Sequence, residues 1–247
     1  MNRLPHLGEG RPTLTVGRGT DVDVRIDDPA IAARALTVTV QGDSFHVVAA
    51  EGTTFQWHSL AYHEATLPPT GILLDRFSLR LSHQRYPAII VFDPRSARFA
   101  QYHGIEYFDW DPALRFVLPL RANAHPDTTI IMSTRGNARR AVRVGWFDVV
   151  IGGRTCSLEA HRLLEPGVDE SAVSLFFRDA TTGHETYGVG RYVDPERLPS
   201  GEWLVDFNNA YNPACAFSPH YNCPIPSRAN TLPVPVRAGE RDSHYAH

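Results

Sequence analysis

The stretch LFFRDATTGHETYGVGRYVD, residues 175–194, predicts a β-hairpin in the second half of the chain. Leu175 to Arg178 has the apolar bulk of a buried strand end, and the Asp, Thr and Gly residues that follow favour a turn. Alternation from Glu185 to Asp194 predicts the return strand, with Gly188 and Gly190 on one face. Two glycines on one strand face indicate that an aromatic ring or a ligand approaches the backbone closely.

A second unusual stretch, DFNNAYNPACAF at residues 206–217, follows a predicted strand over Glu202 to Phe207. The chain after it is rich in Asn, Pro and aromatic residues. Proline fixes φ and asparagine bonds to nearby backbone, so this composition predicts an ordered loop. Long ordered loops often carry function, and the alternative is a rigid cover over the hydrophobic core.

These two stretches, together with YNCPIP (221–226), LPVPVRAGE (232–240) and YHGIEYFDWDP (102–112), resemble an uncharacterised bacterial family, domain-of-unknown-function family 1684. The resemblance covers most of the chain and is strongest from Phe176 to Glu240. The family has no assigned reaction. The resemblance therefore implies a homologous structure and a shared site, without naming the chemistry.

The composition is that of an ordinary globular protein, with 247 residues, 43% of them hydrophobic and 21% charged. A net charge of −3 argues against nucleic-acid or anionic-membrane binding, because such domains are usually basic. No run approaches the ~20 apolar residues of a membrane span, and the N-terminus lacks the apolar core of a signal peptide. We therefore expect a cytoplasmic protein with reduced cysteines.

All 24 basic residues are arginine, which is typical of a GC-rich, actinobacterial genome. Without lysine, the chain offers no Schiff-base or P-loop lysine. The sequence also contains no dinucleotide-binding, P-loop or serine-hydrolase motif. We therefore predict no cofactor.

Short strands and regular turn signals over residues 12–92 are typical of a β-sandwich. Their order resembles a forkhead-associated domain: Gly17-Arg18 matches that family's Gly-Arg, and Gly52-Thr53 stands where its Asn-Gly-Thr turn falls. The phosphothreonine-reading Ser-x-x-His is absent, and Glu51 replaces the Asn of the later turn. Because a carboxylate repels phosphate, we predict a structural or interface module that does not read phosphothreonine.

The predicted fold is all-β. A forkhead-associated-like sandwich over residues 1–94 packs on an antiparallel β domain, either barrel or sandwich, over residues 95–247. Alternating apolar positions in the second domain support its assignment as antiparallel β. We expect the Asn/Pro-rich loop to cover that domain.

Three residues are candidates for catalysis. Asp206 ends an apolar strand, where a partly buried carboxylate suits a general acid or base, and the alternative is a cap for the next loop. Cys215 is a candidate nucleophile if a base such as His184 or His220 lies nearby, whereas the default is a buried structural thiol. Tyr187, in the predicted hairpin, is the third candidate for catalysis.

The candidate ligand-binding residues begin with Arg178 and Arg191, which stand on the two limbs of the hairpin. Sharing a face, they would hold a carboxylate or phosphate by paired hydrogen bonds, whereas the alternative is internal ion pairing. The others are polar side chains of the following loop: Asn208, Tyr211, Asn212, Tyr221 and Asn230. We predict no metal site, since Cys215, His220 and Cys223 supply only three ligands at a loose spacing.

These residues predict a small-molecule enzyme or ligand-binding protein with a polar pocket in the second domain. Its ligand would be anionic, and any chemistry would be cofactor-free hydrolysis, isomerisation or cyclisation. The alternative is a non-catalytic interaction protein whose N-terminal sandwich binds a protein partner.

Overall fold

The computed structural model describes residues 13–83, 87–165 and 167–242, and it is all-β. The helical elements within those ranges are short 3-10 turns, and none is a helix long and apolar enough to cross a membrane. The chain divides into two compact units. Unit 1 comprises Met1–Gln101 with Glu165–Gly167, and unit 2 comprises Tyr102–Leu164 with Val168–His247. Our sequence-based boundary falls after residue 94.

Unit 1 contains two five-stranded sheets. Its strands are β1 (Thr13–Gly17), β2 (Val24–Arg25), β3 (Leu36–Gln41), β4 (Ser44–Ala49), β5 (Phe55–Trp57), β6 (Leu60–Tyr62), β7 (Glu64–Leu67), β8 (Thr70–Leu74), β9 (Phe77–His83) and β10 (Pro87–Phe92). One sheet has the order β2-β1-β3-β4-β7 and the other β10-β9-β8-β5-β6. Alternate residues of both sheets enter a single hydrophobic core, in which Phe45 and Phe55 are fully buried.

The Gly17-Arg18 pair of unit 1 has a local explanation. A Cβ on Gly17 would lie 2.3 Å from the carbonyl oxygen of Ala33, so this position accepts no side chain. Arg18 donates from Nε to the Ile31 carbonyl at 3.2 Å. Both residues therefore hold the 31–34 loop against β1, and the forkhead-associated resemblance stays a prediction.

The described residues of unit 2 form three open antiparallel sheets. Its strands are β11 (Arg115–Leu118), β12 (Arg121–Ala122), β13 (Thr128–Met132), β14 (Ala138–Ile151), β15 (Arg154–Leu163), β16 (Leu175–Phe177), β17 (Arg191–Val193), β18 (Glu196–Arg197) and β19 (Trp203–Asp206). The long hairpin β14–β15 turns at Gly152-Gly153, and β12 and β13 also pair with β14. None of the described sheets closes into a barrel.

The predicted hairpin forms over fewer residues than its alternation indicates. β16 pairs with β17, but the return strand covers only Arg191–Val193, and the residues before it form turns. Gly190 has φ +116°, and a Cβ there would lie 2.5 Å from the Phe177 carbonyl oxygen and 2.9 Å from Pro226 Cγ. A carbonyl and a proline ring therefore make the close approach, in place of the aromatic ring or ligand that we expected.

The hairpin contributes side chains to two hydrophobic clusters of unit 2. On β16, Leu175 and Phe177 enter the main core, whereas Phe176 enters a second, smaller cluster. We call the smaller one the thiol cluster. Its buried members are Ile131, Ala141, Phe176, Tyr192, Cys215 and Cys223, and Leu163, Tyr187, Tyr211 and Tyr221 pack against them.

Candidate functional site

Two cysteines from the Asn/Pro-rich loop meet in the thiol cluster. Cys215 lies in the 3-10 turn Ala214–Ala216, and its backbone N–H donates to Cys223 Sγ at 3.3 Å. Both thiols are free and buried, with exposures of 4% and 7%. The Tyr187 hydroxyl donates to the Cys215 carbonyl at 3.2 Å, and the Cys223 N–H donates to Thr134 Oγ1 at 3.1 Å. A thiol pair and two hydroxyls are thus brought together.

The two thiols have different acidities because they interact with each other. A hydrogen bond from Cys223 first, and then bonds from Tyr187 and Thr134, lower the pKa of Cys215 to about 7 against the opposing effect of burial. The same bond, followed by burial, raises the pKa of Cys223. Burial is also the main cause of the raised pKa of Tyr187. Cys215 is therefore the more acidic thiol of the pair.

The end of β13 holds the second cysteine in place. Thr134 donates its N–H to the Cys223 carbonyl at 3.0 Å, and Ile225 donates to the Met132 carbonyl at 2.7 Å. The buried Arg139 side chain on β14 donates from Nε to Ser133 Oγ at 2.8 Å and from Nη2 to the Asn222 carbonyl. The loop therefore adds to the free edge of β13, which fixes where Cys223 lies.

Besides Tyr187, three other tyrosines belong to the thiol cluster or pack against it. Tyr192 meets Phe176 edge to face at 4.6 Å between ring centroids and Tyr211 at 5.7 Å. The Tyr211 hydroxyl donates to Asp194 Oδ2 at 2.8 Å, and burial followed by this carboxylate raises its pKa. Tyr221 is half-buried against the same cluster. Of the predicted site residues, the structure brings Tyr187, Tyr211, Cys215 and Tyr221 together.

The Arg191 side chain is buried in unit 2 and bonds to protein groups there. Its guanidinium donates to Asp179 Oδ2 at 2.8 Å and to the backbone carbonyls of Val236, Ala238 and Glu240. Both side chains of this ion pair are buried. The contacts are those of our internal-pairing alternative, and they attach the C-terminal segment to β17.

Arg178 differs from Arg191. Its Nε donates to the Val189 carbonyl at 2.9 Å, and its Cγ lies beside the Gly190 position that Pro226 also approaches. The side chain is half-buried, and its two Nη groups make no hydrogen bond or ion pair within the described part of the chain. The two arginines therefore do not form a paired clamp.

Asp206 and Asn208 form a cap. Asp206 Oδ1 accepts from the Asn208 N–H at 3.0 Å and from its Nδ2 at 2.9 Å, while Oδ2 lies 3.4 Å from Arg115 Nε. Asn208 also exchanges hydrogen bonds with the backbone of Asp111, at 2.8 and 2.9 Å. These are the contacts of the cap alternative. The catalytic assignment of Asp206 gains no support from them.

The two remaining asparagines lie elsewhere in the loop. Asn230 is fully buried and bonds to the backbone N–H and carbonyl of Glu159, at 2.7 and 2.9 Å, and to the Phe176 carbonyl at 2.9 Å. Asn212 donates from Nδ2 to the Arg241 carbonyl and from its backbone to Glu240 Oε2, both at 2.7 Å. Its buried Oδ1 has no hydrogen-bond partner among the described residues.

The sequence analysis did not predict a second polar cluster, which lies around Glu159. Glu159 accepts from Arg143 Nη1 at 2.9 Å and from Ser227 Oγ at 3.0 Å. Buried His161 is the cross-strand neighbour of Arg143, and its Nδ1 and Arg143 Nε are unpaired within the described ranges. Thr134 was also missed, since it lies 89 positions from Cys223. Neither cluster has a local motif that would reveal it.

Comparison with known proteins finds a family match for the second half of the chain. A family model described as a protein of unknown function, DUF1684, matches residues 100–241. The solution NMR structure of an uncharacterized protein from Haloarcula marismortui is 31% identical, covering 63% of this chain and 84% of that one, with a TM-score of 0.49. A search of curated proteins found no match. The family match spans more than half of the chain and contains every residue of the thiol cluster, so the chain belongs to the DUF1684 family of proteins of unknown function.

Proposed function

We propose that unit 2 is a small-molecule enzyme or ligand-binding unit that works without a cofactor and whose reactive group is the Cys215 thiol. The observation that carries this proposal is the pair of buried thiols, with Cys223 Sγ 3.3 Å from the Cys215 nitrogen and the Tyr187 hydroxyl 3.2 Å from the Cys215 carbonyl oxygen. Interactions with Cys223, Tyr187 and Thr134 lower the pKa of Cys215. A thiolate present near neutral pH is a nucleophile, and it also accepts protons.

The neighbouring groups suit this chemistry. Tyr187 keeps its proton because burial raises its pKa, and its hydroxyl, which donates to the Cys215 carbonyl, lies next to the thiol as a hydrogen-bond donor. The three tyrosines packed on the cluster supply apolar area with polar tips, as small-molecule sites require.

Two further features support an anionic ligand with a hydrogen-bond donor. The Nη groups of Arg178 have no partner among described residues, and guanidinium groups pair with carboxylates and phosphates. Asn212, three positions before Cys215, has a buried acceptor oxygen that the described protein groups leave unpaired. A bound ligand that donates to this oxygen would remove the cost of the unpaired acceptor.

A protection assay tests the proposal. Cys215 is alkylated with iodoacetamide in the presence of acetate, citrate, inorganic phosphate and a panel of other small carboxylates and phosphate esters. We expect at least one anion to slow alkylation in a saturable way, and Arg178→Gln to weaken that protection. Cys156, which is buried in the main core, reports general effects on folding. If no anion protects Cys215, or if Arg178→Gln is protected like the wild type, the anionic site is wrong.

A further inference from the structure

The Cys223 thiol stands beside Cys215 in a position that the proposed function does not use. We infer that Cys215 and Cys223 form a reactive dithiol that exchanges with low-molecular-weight disulfides, with Cys215 as the attacking thiol and Cys223 as the resolving thiol. The inference rests on the proposed reactivity of Cys215, and it adds a substrate class and a second reacting residue to the site.

The geometry brings the two sulfurs within reach of each other. Cys223 Sγ lies 3.3 Å from the backbone nitrogen of Cys215. The two side chains are also members of the same buried cluster. The two cysteines enclose only residues 216–222, which form a surface turn with Pro219 and His220 exposed. A bond between them would therefore close a short loop.

Electrostatics assign the order of the two steps. While Cys215 is a thiolate, its negative charge beside Cys223 keeps the proton on Cys223, whose pKa is raised. Once Cys215 is bonded to another sulfur, it carries no charge and no longer holds that proton. Arg139, whose charge lowers the pKa of Cys223, then favours its ionisation. Cys223 thus becomes a nucleophile only after Cys215 has reacted.

The exchange balances in two steps. The Cys215 thiolate attacks a disulfide RSSR, forms a Cys215–S–SR bond and expels one RS⁻. Cys223 then loses its proton to solvent and attacks Cys215 Sγ, forming the Cys215–Cys223 bond and expelling the second RS⁻. In these steps the thiolate–thiol pair loses two electrons and the one proton of Cys223, and RSSR gains the two electrons as two RS⁻; counted from the fully protonated dithiol, the protein loses two hydrogens. The disulfide substrate is the oxidant.

Access to the buried thiols requires a local opening of the turn rather than global unfolding. The turn is closed by backbone bonds from Ser218 to Ala214 at 3.1 Å and from Tyr221 to Ser218 at 3.2 Å, with Arg135 donating to the His220 carbonyl at 3.2 Å. Opening this segment breaks local contacts and leaves the strands of the unit paired, so it costs less free energy than unfolding the whole unit. The reaction is therefore expected to be slower than that of an exposed thiol.

The test uses 5,5′-dithiobis(2-nitrobenzoate) as the disulfide, with wild type, Cys223→Ser, Cys223→Ala and Cys215→Ser. In the wild type we expect two aromatic thiolates released per protein, a mass lower by two hydrogens and a peptide cross-linked between Cys215 and Cys223. In Cys223→Ser and Cys223→Ala we expect one thiolate released and a stable adduct on Cys215. Alanine at 223 should also slow the first step more than serine, because only serine retains a donor to Cys215.

Three results overturn the inference, and they are distinguishable. In the first, the wild-type protein keeps the Cys215 adduct, as the Cys223 variants do. Cys215 is then reactive but Cys223 does not displace the adduct, so the proposed function stands and the dithiol inference fails. A cross-link that involves Cys156 shows unfolding before reaction. A Cys215 that does not react before the protein unfolds defeats both the dithiol and the proposed function. The wild-type measurement decides between these results even if a variant fails to fold.

Discussion

Arg191 and Asp179 form an ion pair at 2.8 Å with both side chains buried. Removing the guanidinium leaves a buried carboxylate and three backbone carbonyls without their donor. We expect Arg191→Met to lower the free energy of unfolding by about 3–5 kcal/mol, measured by urea denaturation. The control is Arg237→Met, which removes an exposed pair with Glu185 at 2.8 Å. A loss at Arg191 no larger than the loss at Arg237 would contradict a structural role.

Asn230 connects two strands of unit 2 through three hydrogen bonds to backbone groups. Asn230→Ala leaves these groups unpaired in the interior, so we expect a loss of stability of about 2 kcal/mol or more, measured by urea denaturation. Asn209→Ala, at an exposed position of the same loop, should leave stability close to that of the wild type. If Asn230→Ala keeps its stability and loses anion protection of Cys215, Asn230 is a ligand-binding residue, as the sequence predicted.

Cys215 should lose its proton at a lower pH than Cys156. Its pKa is lowered to about 7, whereas burial raises the pKa of Cys156 above 9.0. We expect the alkylation rate of Cys215, followed by mass spectrometry of its peptide, to rise with pH and reach half its maximum near pH 7. Tyr187→Phe removes a hydroxyl that helps to lower the pKa of Cys215 and should move this midpoint to higher pH. A shared midpoint for Cys215 and Cys156 would refute the assignment of Cys215 as the thiolate.

His161 should make stability depend on pH in mildly acidic solution. Burial lowers its pKa below 6.5, so the unfolded chain binds a proton that the folded chain does not. The stabilisation is present above pH 6.5 and is lost as pH falls below 6.5 towards the folded-state pKa. His161→Gln should flatten the stability curve between about pH 5 and 7, where carboxylates contribute little. Replacing the exposed His184 by Gln should leave the slope unchanged, and a similar slope in all three proteins would contradict the prediction.

Much of the fold follows from local patterns. Alternation over Arg139 to Val150 and the Gly152-Gly153 turn predict the β14–β15 hairpin, because one face of each strand must be apolar when it packs on a core. The same argument gives the all-β class, which the structure confirms. Alternation alone predicts too long a strand over Glu185 to Asp194. Gly190 has φ +116°, which lies outside the extended region, so the strand begins only at Arg191.

The site is harder to predict because it depends on contacts between distant segments. Tyr187 and Cys215 were both candidates from composition, but Thr134 lies 89 positions from Cys223 and carries no signal of its own. Four polar residues that we predicted for the site make internal contacts in the structure. They pair buried backbone groups or cap turns, as a loop that covers a core requires: Asp206, Asn208, Arg191 and Asn230. Their roles in catalysis or ligand binding stay predictions. The cytoplasmic location, the anionic ligand and a protein partner for unit 1 stay predictions.

The three-residue strand β16 has a consequence for how unit 2 unfolds. Phe176 and Phe177 are consecutive, yet one enters the thiol cluster and the other enters the main core. Separating this strand from β17 removes an aromatic ring from both clusters at once, whereas opening the 216–222 turn leaves both rings in place. We therefore expect amide exchange on both sides of the strand to require the same opening event, distinct from the opening of the turn.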